Sequence, residues 1–153
     1  MTSLKIDKRI FKKYYFYGND KANIKPLDNK YRYIGNLYSM YDALMHIWNI
    51  DTCAPRLRDK WSPKNKTLGQ CSITSFLIQD IFGGEVYGVP LENENFHCFN
   101  VIEGHIYDLT SEQFEEKLEY TLNYPQDRSK HFEKAEKYER YLLLKERLEE
   151  FIK

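Results

Sequence analysis

The most constraining feature of this chain is the stretch at residues 68–82, which has a glycine near each end. Gly69 interrupts any element that precedes it, and Gly83-Gly84 supplies the left-handed backbone that commonly ends a helix. Between them the apolar residues recur at close to the helical repeat. These residues are Ile73, Phe76, Leu77, Ile78, Ile81 and Phe82. The pattern predicts a short, largely buried helix with Cys71 in its first turn.

The place of Cys71 at the start of a helix bears on its chemistry. The first backbone N–H groups of a helix have no partner within it, and together with the helix dipole they favour a thiolate over a thiol. A nucleophilic cysteine is commonly housed in this way. A single free cysteine is also often a small apolar residue of the core, so this second interpretation stays open.

A second motif downstream predicts a β-hairpin. Residues 96–102 and 105–109 have the composition of two strands, and Glu103-Gly104 supplies a two-residue loop between them. In that register Ile102 lies opposite His105. A four-residue loop keeps the same register, whereas a three-residue loop with a bulge would break it.

The predicted register brings His97 and Asp108 to one face of the sheet as diagonal neighbours, about 7–8 Å apart at the backbone. A carboxylate there can accept the imidazole N–H and stabilise the imidazolium. With Cys71 on a helix packed against the sheet, the three side chains would form a Cys-His-Asp triad for acyl transfer through a thioester. The Cys71 N–H is one candidate oxyanion donor, and the Gln70 side chain is a second. The structural alternative is a buried cysteine, a hydrogen-bonded histidine and an aspartate that caps a following helix.

The other cysteines and histidines predict no metal site. No cysteine has a CxxC partner. Cys98 adjoins His97 on a predicted strand, so their side chains should point to opposite faces, which disfavours a zinc site that joins both to Cys71. His46 and His131 lie on predicted helices and are interpreted as ordinary surface or boundary residues. The sequence predicts neither a metal nor a cofactor.

The remaining periodic segments complete an α+β fold. A helix is predicted over 37–48, capped by Asn36, and a short strand over 85–91. Residues 110–122 predict a helix whose inner face is Phe114, Leu118 and Leu122. Residues 128–153 predict one long amphipathic helix. Its inward residues are taken to be Ala135, Tyr138, Tyr141, Leu142, Leu148, Phe151 and Ile152.

Length and charge limit the domain organisation and the partners. The 153 residues fit a single domain, with a basic aromatic extension at 1–30, a core at 36–122 and a closing helix at 128–153. Lys and Arg total 23, as do Asp and Glu, so bulk charge favours neither nucleic acid nor membrane. The extension has eight Lys or Arg against three Asp, which is interpreted as a solvated edge strand rather than a nucleic-acid surface.

No run is apolar enough to span a bilayer, and the N-terminus lacks the apolar core of a signal peptide. Three cysteines at irregular spacing argue against a disulfide framework. We therefore expect a cytoplasmic protein with reduced thiols. The expected partner is a small-molecule or peptide substrate.

Several motifs together resemble the YunG-like family of small bacterial proteins. They are Trp61-Ser62-Pro63, Leu68-Gly69-Gln70-Cys71, Gln79-Asp80-Ile81-Phe82-Gly83-Gly84-Glu85, His97-x-Phe99-Asn100, Asp108-Leu109-Thr110-x-x-Gln113-Phe114 and Arg140-Tyr141-Leu142-Leu143-Leu144-Lys145. The likeness covers roughly residues 37–148 and so does not rest on a single motif.

The resemblance implies a papain-like core related to the NlpC/P60 and transglutaminase-type cysteine hydrolases. The family's cysteine and histidine correspond to Cys71 and His97, and its acid corresponds to Asp108. The sequence departs from the pattern in residues 1–30 and at Cys98. These features predict a cysteine-dependent hydrolase or acyltransferase for an amide or ester. The alternative is a non-catalytic protein of the same fold that binds a small molecule or peptide.

Overall fold

Four α-helices and a three-stranded antiparallel sheet make up the described part of the chain, residues 14–92 and 95–153 of a computed structural model. The helices are α1 (Leu37–Ile47), α2 (Cys71–Phe82), α3 (Arg128–His131) and α4 (Ala135–Phe151). The strands are β1 (Glu85–Pro90), β2 (Phe96–Ile102) and β3 (His105–Tyr107). The α+β class is confirmed. Some of the sequence predictions lie outside the described residues. These are five of the eight basic residues of the N-terminal extension, and the first two residues of the turn predicted at 93–95.

Helix α2 forms the centre of the core, as its apolar spacing predicts. It packs against β2 on one side and α4 on another. Ile73, Phe76, Leu77 and Ile78 are completely buried. The helix ends at Phe82, and Gly83 takes a φ of 81°, the left-handed backbone that favours glycine.

Helix α1 packs on the same core and begins as the sequence predicts. The Asn36 side chain accepts the Ser39 N–H at 3.0 Å, which satisfies one of the free donors at the helix start. Just beyond its end, the buried Trp48 indole donates to Thr74 Oγ1 on α2 at 3.0 Å. This bond fixes α1 to the helix that carries Cys71.

The sheet has the order β1-β2-β3, with β2 in the middle. Ile102 lies opposite His105 and Asn100 opposite Tyr107, which is the register predicted for the two-residue loop. Strand β3 ends at Tyr107, two residues earlier than predicted, because the chain beyond it pairs elsewhere. Asp108 bridges to Tyr17 instead, and its N–H donates to the Tyr17 carbonyl at 3.0 Å.

Residues 14–17 do not form the predicted solvated edge strand. Phe16 is buried, and its ring lies 5.2 Å from that of Tyr41 on α1. Only Tyr17 makes a β-bridge. Phe16 is therefore part of the core packing, whereas Tyr15 is exposed.

The helix predicted over residues 110–122 is wrong. Only one 3-10 turn forms, at Ser111–Gln113, and Phe114 is already extended. The Gln113 amide donates to the carbonyls of Thr67 and Thr110, which draws the chain away from a helical course. Tertiary hydrogen bonds override the helical propensity of this segment.

The single C-terminal helix predicted over 128–153 is divided in two. Helix α3 is one turn, capped by the Asp127 side chain, and α4 begins only at Ala135. Phe132 lies in the break and packs its ring 4.8 Å from that of Tyr141. The inner face of α4 also differs from the prediction at several positions. Its buried residues are Arg140, Tyr141, Leu144 and Leu148, whereas Tyr138, Leu142 and Phe151 are exposed.

Candidate active site

Cys71 is the first residue of α2 and is partly accessible from a cleft of about 540 Å³. Cys53 and Cys98, by contrast, are fully buried. The Gln70 side chain does not cap the helix, so it leaves the first N–H groups of α2 uncapped. The thiol therefore lies at the positive end of the helix dipole, next to open space.

His97 and Asp108 are in direct contact, as the hairpin register predicts. His97 Nε2 lies 2.6 Å from Asp108 Oδ2, and each side chain is only 1% exposed. Because Asp108 engages Nε2, the other ring nitrogen, Nδ1, is the one left for interaction with the Cys71 sulfur. The carboxylate thus fixes both the orientation and the tautomer of the ring.

Asp108 has a full set of hydrogen-bond donors around its two oxygens. Oδ1 accepts the Thr110 N–H at 3.1 Å and the Thr110 hydroxyl at 3.2 Å. Oδ2 accepts the Tyr120 hydroxyl at 2.7 Å in addition to the imidazole. The buried carboxylate therefore has hydrogen-bond partners at both oxygens.

Tyr120 is a site residue that the sequence reasoning missed. Its ring packs 4.5 Å from that of Tyr17 and 5.0 Å from that of Phe99, which aims the hydroxyl at Asp108. Burial, with the Asp108 charge beside it, raises the pKa of Tyr120, so the phenol remains a donor. No local sequence pattern identifies Tyr120 as a site residue, because the helix predicted over 110–122 gives no reason for its side chain to reach Asp108.

The neighbours of Cys71 favour its thiolate. The pKa of Cys71 is well below its ordinary value, first because the Cys98 thiol donates to its sulfur and then because His97 adds a positive charge and a hydrogen bond. Burial opposes this shift. Cys98 correspondingly has a raised pKa and keeps its proton. The sequence assigned no role to Cys98, since Cys98 and His97 are adjacent on a strand and were expected to point to opposite faces, yet the Cys71 sulfur at the start of α2 interacts with both.

His97 is held in its protonated form by its two anionic neighbours. Burial alone would lower its pKa, but the charges of Asp108 and Cys71 outweigh burial and raise the pKa to about 10. Phe114 packs edge-on against the ring at 4.7 Å between centroids. This contact shields the His97–Asp108 pair and limits rotation of the imidazole.

Gln70 is not brought to the sulfur as a free donor. The residue is fully buried, and its Nε2 donates to the Asn49 carbonyl at 3.1 Å. Its Oε1 has no hydrogen-bond partner within the described residues. The amide hydrogens expected to bind an oxyanion are thus directed, at least in part, towards the chain after α1.

His131 lies in the cleft with Cys71, although the sequence gave it no thiol or acid nearby. Its Nε2 bonds Gln126 Oε1 at 2.8 Å, and its Nδ1 accepts from Lys137 Nζ at 2.9 Å. Burial and the Lys137 charge lower its pKa to about 4, so the ring is neutral at pH 7. A break in the C-terminal helix brings this residue to the cleft, and no sequence pattern predicted that break.

Residues 14–92 and 95–153 contain neither a metal-binding cluster nor a membrane-spanning helix. There, no group of three or more His, Cys, Asp or Glu residues is arranged to hold a metal ion. In the same ranges no helix combines the length and the hydropathy needed to cross a bilayer.

Comparison with known proteins matches residues 36–153 to the YunG protein family. The chain belongs to the YunG family. Cys71, His97 and Asp108 all lie inside the matched region. A relative within the curated proteins, the uncharacterized protein YunG of Bacillus subtilis (strain 168), is 43% identical over 61 residues. That alignment covers 40% of this chain and 52% of the relative, so the chain matches about half of the relative's length. No solved structure matches the chain significantly.

Proposed function

We propose that this protein is a cysteine-dependent hydrolase or acyltransferase that acts on an amide or ester through a thioester intermediate. The proposal depends chiefly on the 2.6 Å bond between His97 Nε2 and Asp108 Oδ2. It leaves Nδ1 for the Cys71 thiol at the start of α2, which is the geometry that a cysteine nucleophile and its base require. The cleft at Cys71 gives a substrate access to the sulfur.

In the resting state of this mechanism, Cys71 is a thiolate and His97 an imidazolium. The sulfur attacks the carbonyl carbon, so that a C–S bond forms and the carbonyl electron pair moves to oxygen. When the intermediate collapses, the C–N or C–O bond breaks and His97 Nδ1 gives its proton to the leaving amine or alcohol. Neutral His97 then takes a proton from the water or acceptor that attacks the thioester, and the C–S bond breaks.

The roles of the other residues follow from their contacts. Asp108 orients His97 and stabilises its positive charge, and Tyr120 with Thr110 holds that carboxylate in position by hydrogen bonds. The Cys71 backbone N–H is the first oxyanion donor. Gln70 becomes a second donor only if its amide turns from the Asn49 carbonyl towards the cleft.

A papain-like relationship is part of this proposal. In that fold we expect a cysteine at the start of a buried helix that packs against an antiparallel sheet. One strand supplies the histidine, and the acid lies on or just after the neighbouring strand. The family resemblance at Cys71, His97 and Asp108 supports the same assignment. Fold-level likeness alone would not assign an activity, because function resides in the site.

Alkylation of the three cysteines against pH tests the proposal. Wild-type protein and the Cys71→Ser variant are treated with iodoacetamide between pH 5 and pH 10, and each cysteine is followed by peptide mass spectrometry. We expect Cys71 alone to react without denaturant, with an apparent pKa well below the free-thiol value of about 8.5. Cys53 and Cys98 serve as internal controls because both are buried.

Turnover is tested with p-nitrophenyl acetate. We expect a burst of p-nitrophenolate close to one per chain and an acetyl group on Cys71, both lost in Cys71→Ser. If Cys71 reacts only after denaturation, the enzyme proposal fails. If it reacts at ordinary thiol pKa and accepts no acyl group, the non-catalytic binding protein is the correct interpretation.

A further inference from the structure

The cleft that opens at Cys71 has a strong positive charge. Five cationic side chains line it against one carboxylate and the Cys71 thiolate, which leaves three net positive charges when His131 is neutral. The cations are Arg56, Lys130, Lys134, Lys137 and Arg140, and the carboxylate is Glu136. The whole chain has equal numbers of basic and acidic residues, so the cleft has a local excess of positive charge.

Two of these cations are held in place by contacts with their neighbours. Lys137 Nζ donates to the neutral His131 ring at 2.9 Å, a contact that holds the ammonium in place, and burial lowers the pKa of Lys137. Arg140 is only 5% exposed and donates to Glu136 at 2.8 Å and to the Thr52 carbonyl at 3.0 Å. Glu136 is thus committed to Arg140. Fixed charges of this kind bind an anion without first having to be ordered.

The remaining cations come from different segments of the chain. Lys130 and Lys134 come from the end of α3 and the break after it, and both are exposed. Arg56 comes from the turn before α2. A sphere of the cleft's volume is about 10 Å across, which is close to one Debye length at 0.1 M salt, so each charge acts on a bound group with little screening.

We propose that this cleft binds an anionic group of the substrate, a carboxylate or a phosphate carried close to the carbonyl that Cys71 attacks. This inference rests on the proposed function and names the substrate class for the same site. Lysine and arginine are the side chains that recognise both kinds of anion. Lys130 and Lys134 act as specificity residues at the entrance, and Lys137 with Arg140 forms the inner part of the anion site.

A pair of alkylating agents of similar size tests the inference at the sulfur itself. Iodoacetate and iodoacetamide react identically, since the thiolate forms a C–S bond and iodide leaves, but only iodoacetate is an anion. The measured quantity is the ratio of their second-order rate constants at Cys71. This ratio cancels any change in thiolate content that a substitution causes.

The double variant Lys130→Gln/Lys134→Gln removes two charges from the entrance. At these distances we expect the iodoacetate-to-iodoacetamide ratio to fall at least about fourfold, and 0.5 M KCl to reduce the wild-type ratio in the same direction. The matched control is Lys60→Gln/Lys64→Gln, which removes two exposed lysines that do not line the cleft. An equal fall in both double variants, or no fall in either, overturns the inference.

A binding measurement separates this inference from the enzyme proposal. The Cys71→Ser variant, with and without the Lys130→Gln/Lys134→Gln change, is titrated calorimetrically with pyrophosphate and with tricarballylate. If pyrophosphate binds more tightly, the anionic group is a phosphate, and if tricarballylate binds more tightly, it is a carboxylate. In either case the Lys130→Gln/Lys134→Gln change must weaken the binding. Binding of neither anion, or binding that the lysine change leaves intact, overturns the anion site. An unreactive Cys71 with intact anion binding instead refutes only the enzyme.

Discussion

Replacement of Asp108 by asparagine should lower the pKa of His97 markedly. The bond that the substitution weakens is 2.6 Å long, joins two side chains that are each 1% exposed, and has a full charge on the carboxylate. A charge-assisted hydrogen bond of this kind contributes about 1.5–3 kcal/mol. At 1.36 kcal/mol per pKa unit, this is about one to two units. The pKa of His97, about 10 in the wild type, should therefore fall to roughly 8–9 in Asp108→Asn.

The pKa of His97 also determines how the stability of the fold depends on pH. Because the pKa of folded His97 lies above the unfolded value of about 6.5, its protonation stabilises the fold fully below pH ~6.5. That stabilisation is lost as the pH rises through the folded pKa of about 10. In Asp108→Asn this stabilisation should be lost at a lower pH than in the wild type. The thiolate–imidazolium pair with Cys71 should break up at a correspondingly lower pH.

The assay is an NMR titration of ¹⁵N-labelled imidazoles. The chain has four histidines, so the His97 signal is assigned from its absence in His97→Gln. Asp59→Asn, which removes an exposed carboxylate, is the control and should leave the His97 titration unchanged. A wild-type His97 that titrates near 6.5, or an Asp108→Asn variant that still titrates near 10, would refute the argument that this carboxylate holds the proton on the ring.

Two other substitutions test features near the start of α2. Cys98→Ala removes the thiol that donates to Cys71 and should move the pH profile of Cys71 alkylation to higher pH, while Cys53→Ala should leave that profile unchanged. Gly69→Ala should lower the free energy of unfolding, measured in urea. Its φ of 74° alone would cost an alanine roughly 1–2 kcal/mol, and the loss should exceed this because a Cβ would lie 2.5 Å from Cys53 Sγ. Gly104→Ala supplies the strain without the clash, since no atom lies within 4 Å, and equal losses in the two alanine variants would contradict the packing argument.

Local sequence was sufficient for the parts of the site that depend on period and register. The helix that begins at Cys71 follows from apolar spacing between two glycines, and the loop at Glu103-Gly104 sets which residues face each other across the hairpin. The hairpin register alone predicts the contact between His97 and Asp108, and the bond at 2.6 Å agrees with it. Sequence periodicity predicts such features well because each depends on about a dozen neighbouring residues.

The rest of the site depends on contacts that no local pattern records. Residues 110–122 have helical spacing, but Gln113 bonds the distant Thr67 carbonyl and Tyr120 reaches back to Asp108, so the segment is irregular. The break at Phe132, which brings His131 and the lysines to the cleft, arises from aromatic packing against Tyr141. In both places side-chain contacts across the molecule decided the backbone, which propensity cannot foresee.

The bridge between Tyr17 and Asp108 has a consequence for where the working unit of this fold begins. Similarity to the family starts at residue 36, yet the Tyr17 carbonyl receives the Asp108 N–H and its ring supports Tyr120. A protein cut at residue 36 would keep Cys71, His97 and Asp108 but lose the contacts that Tyr17 makes with Asp108 and Tyr120. In this chain, a segment outside the matched region therefore helps to exclude water from Asp108.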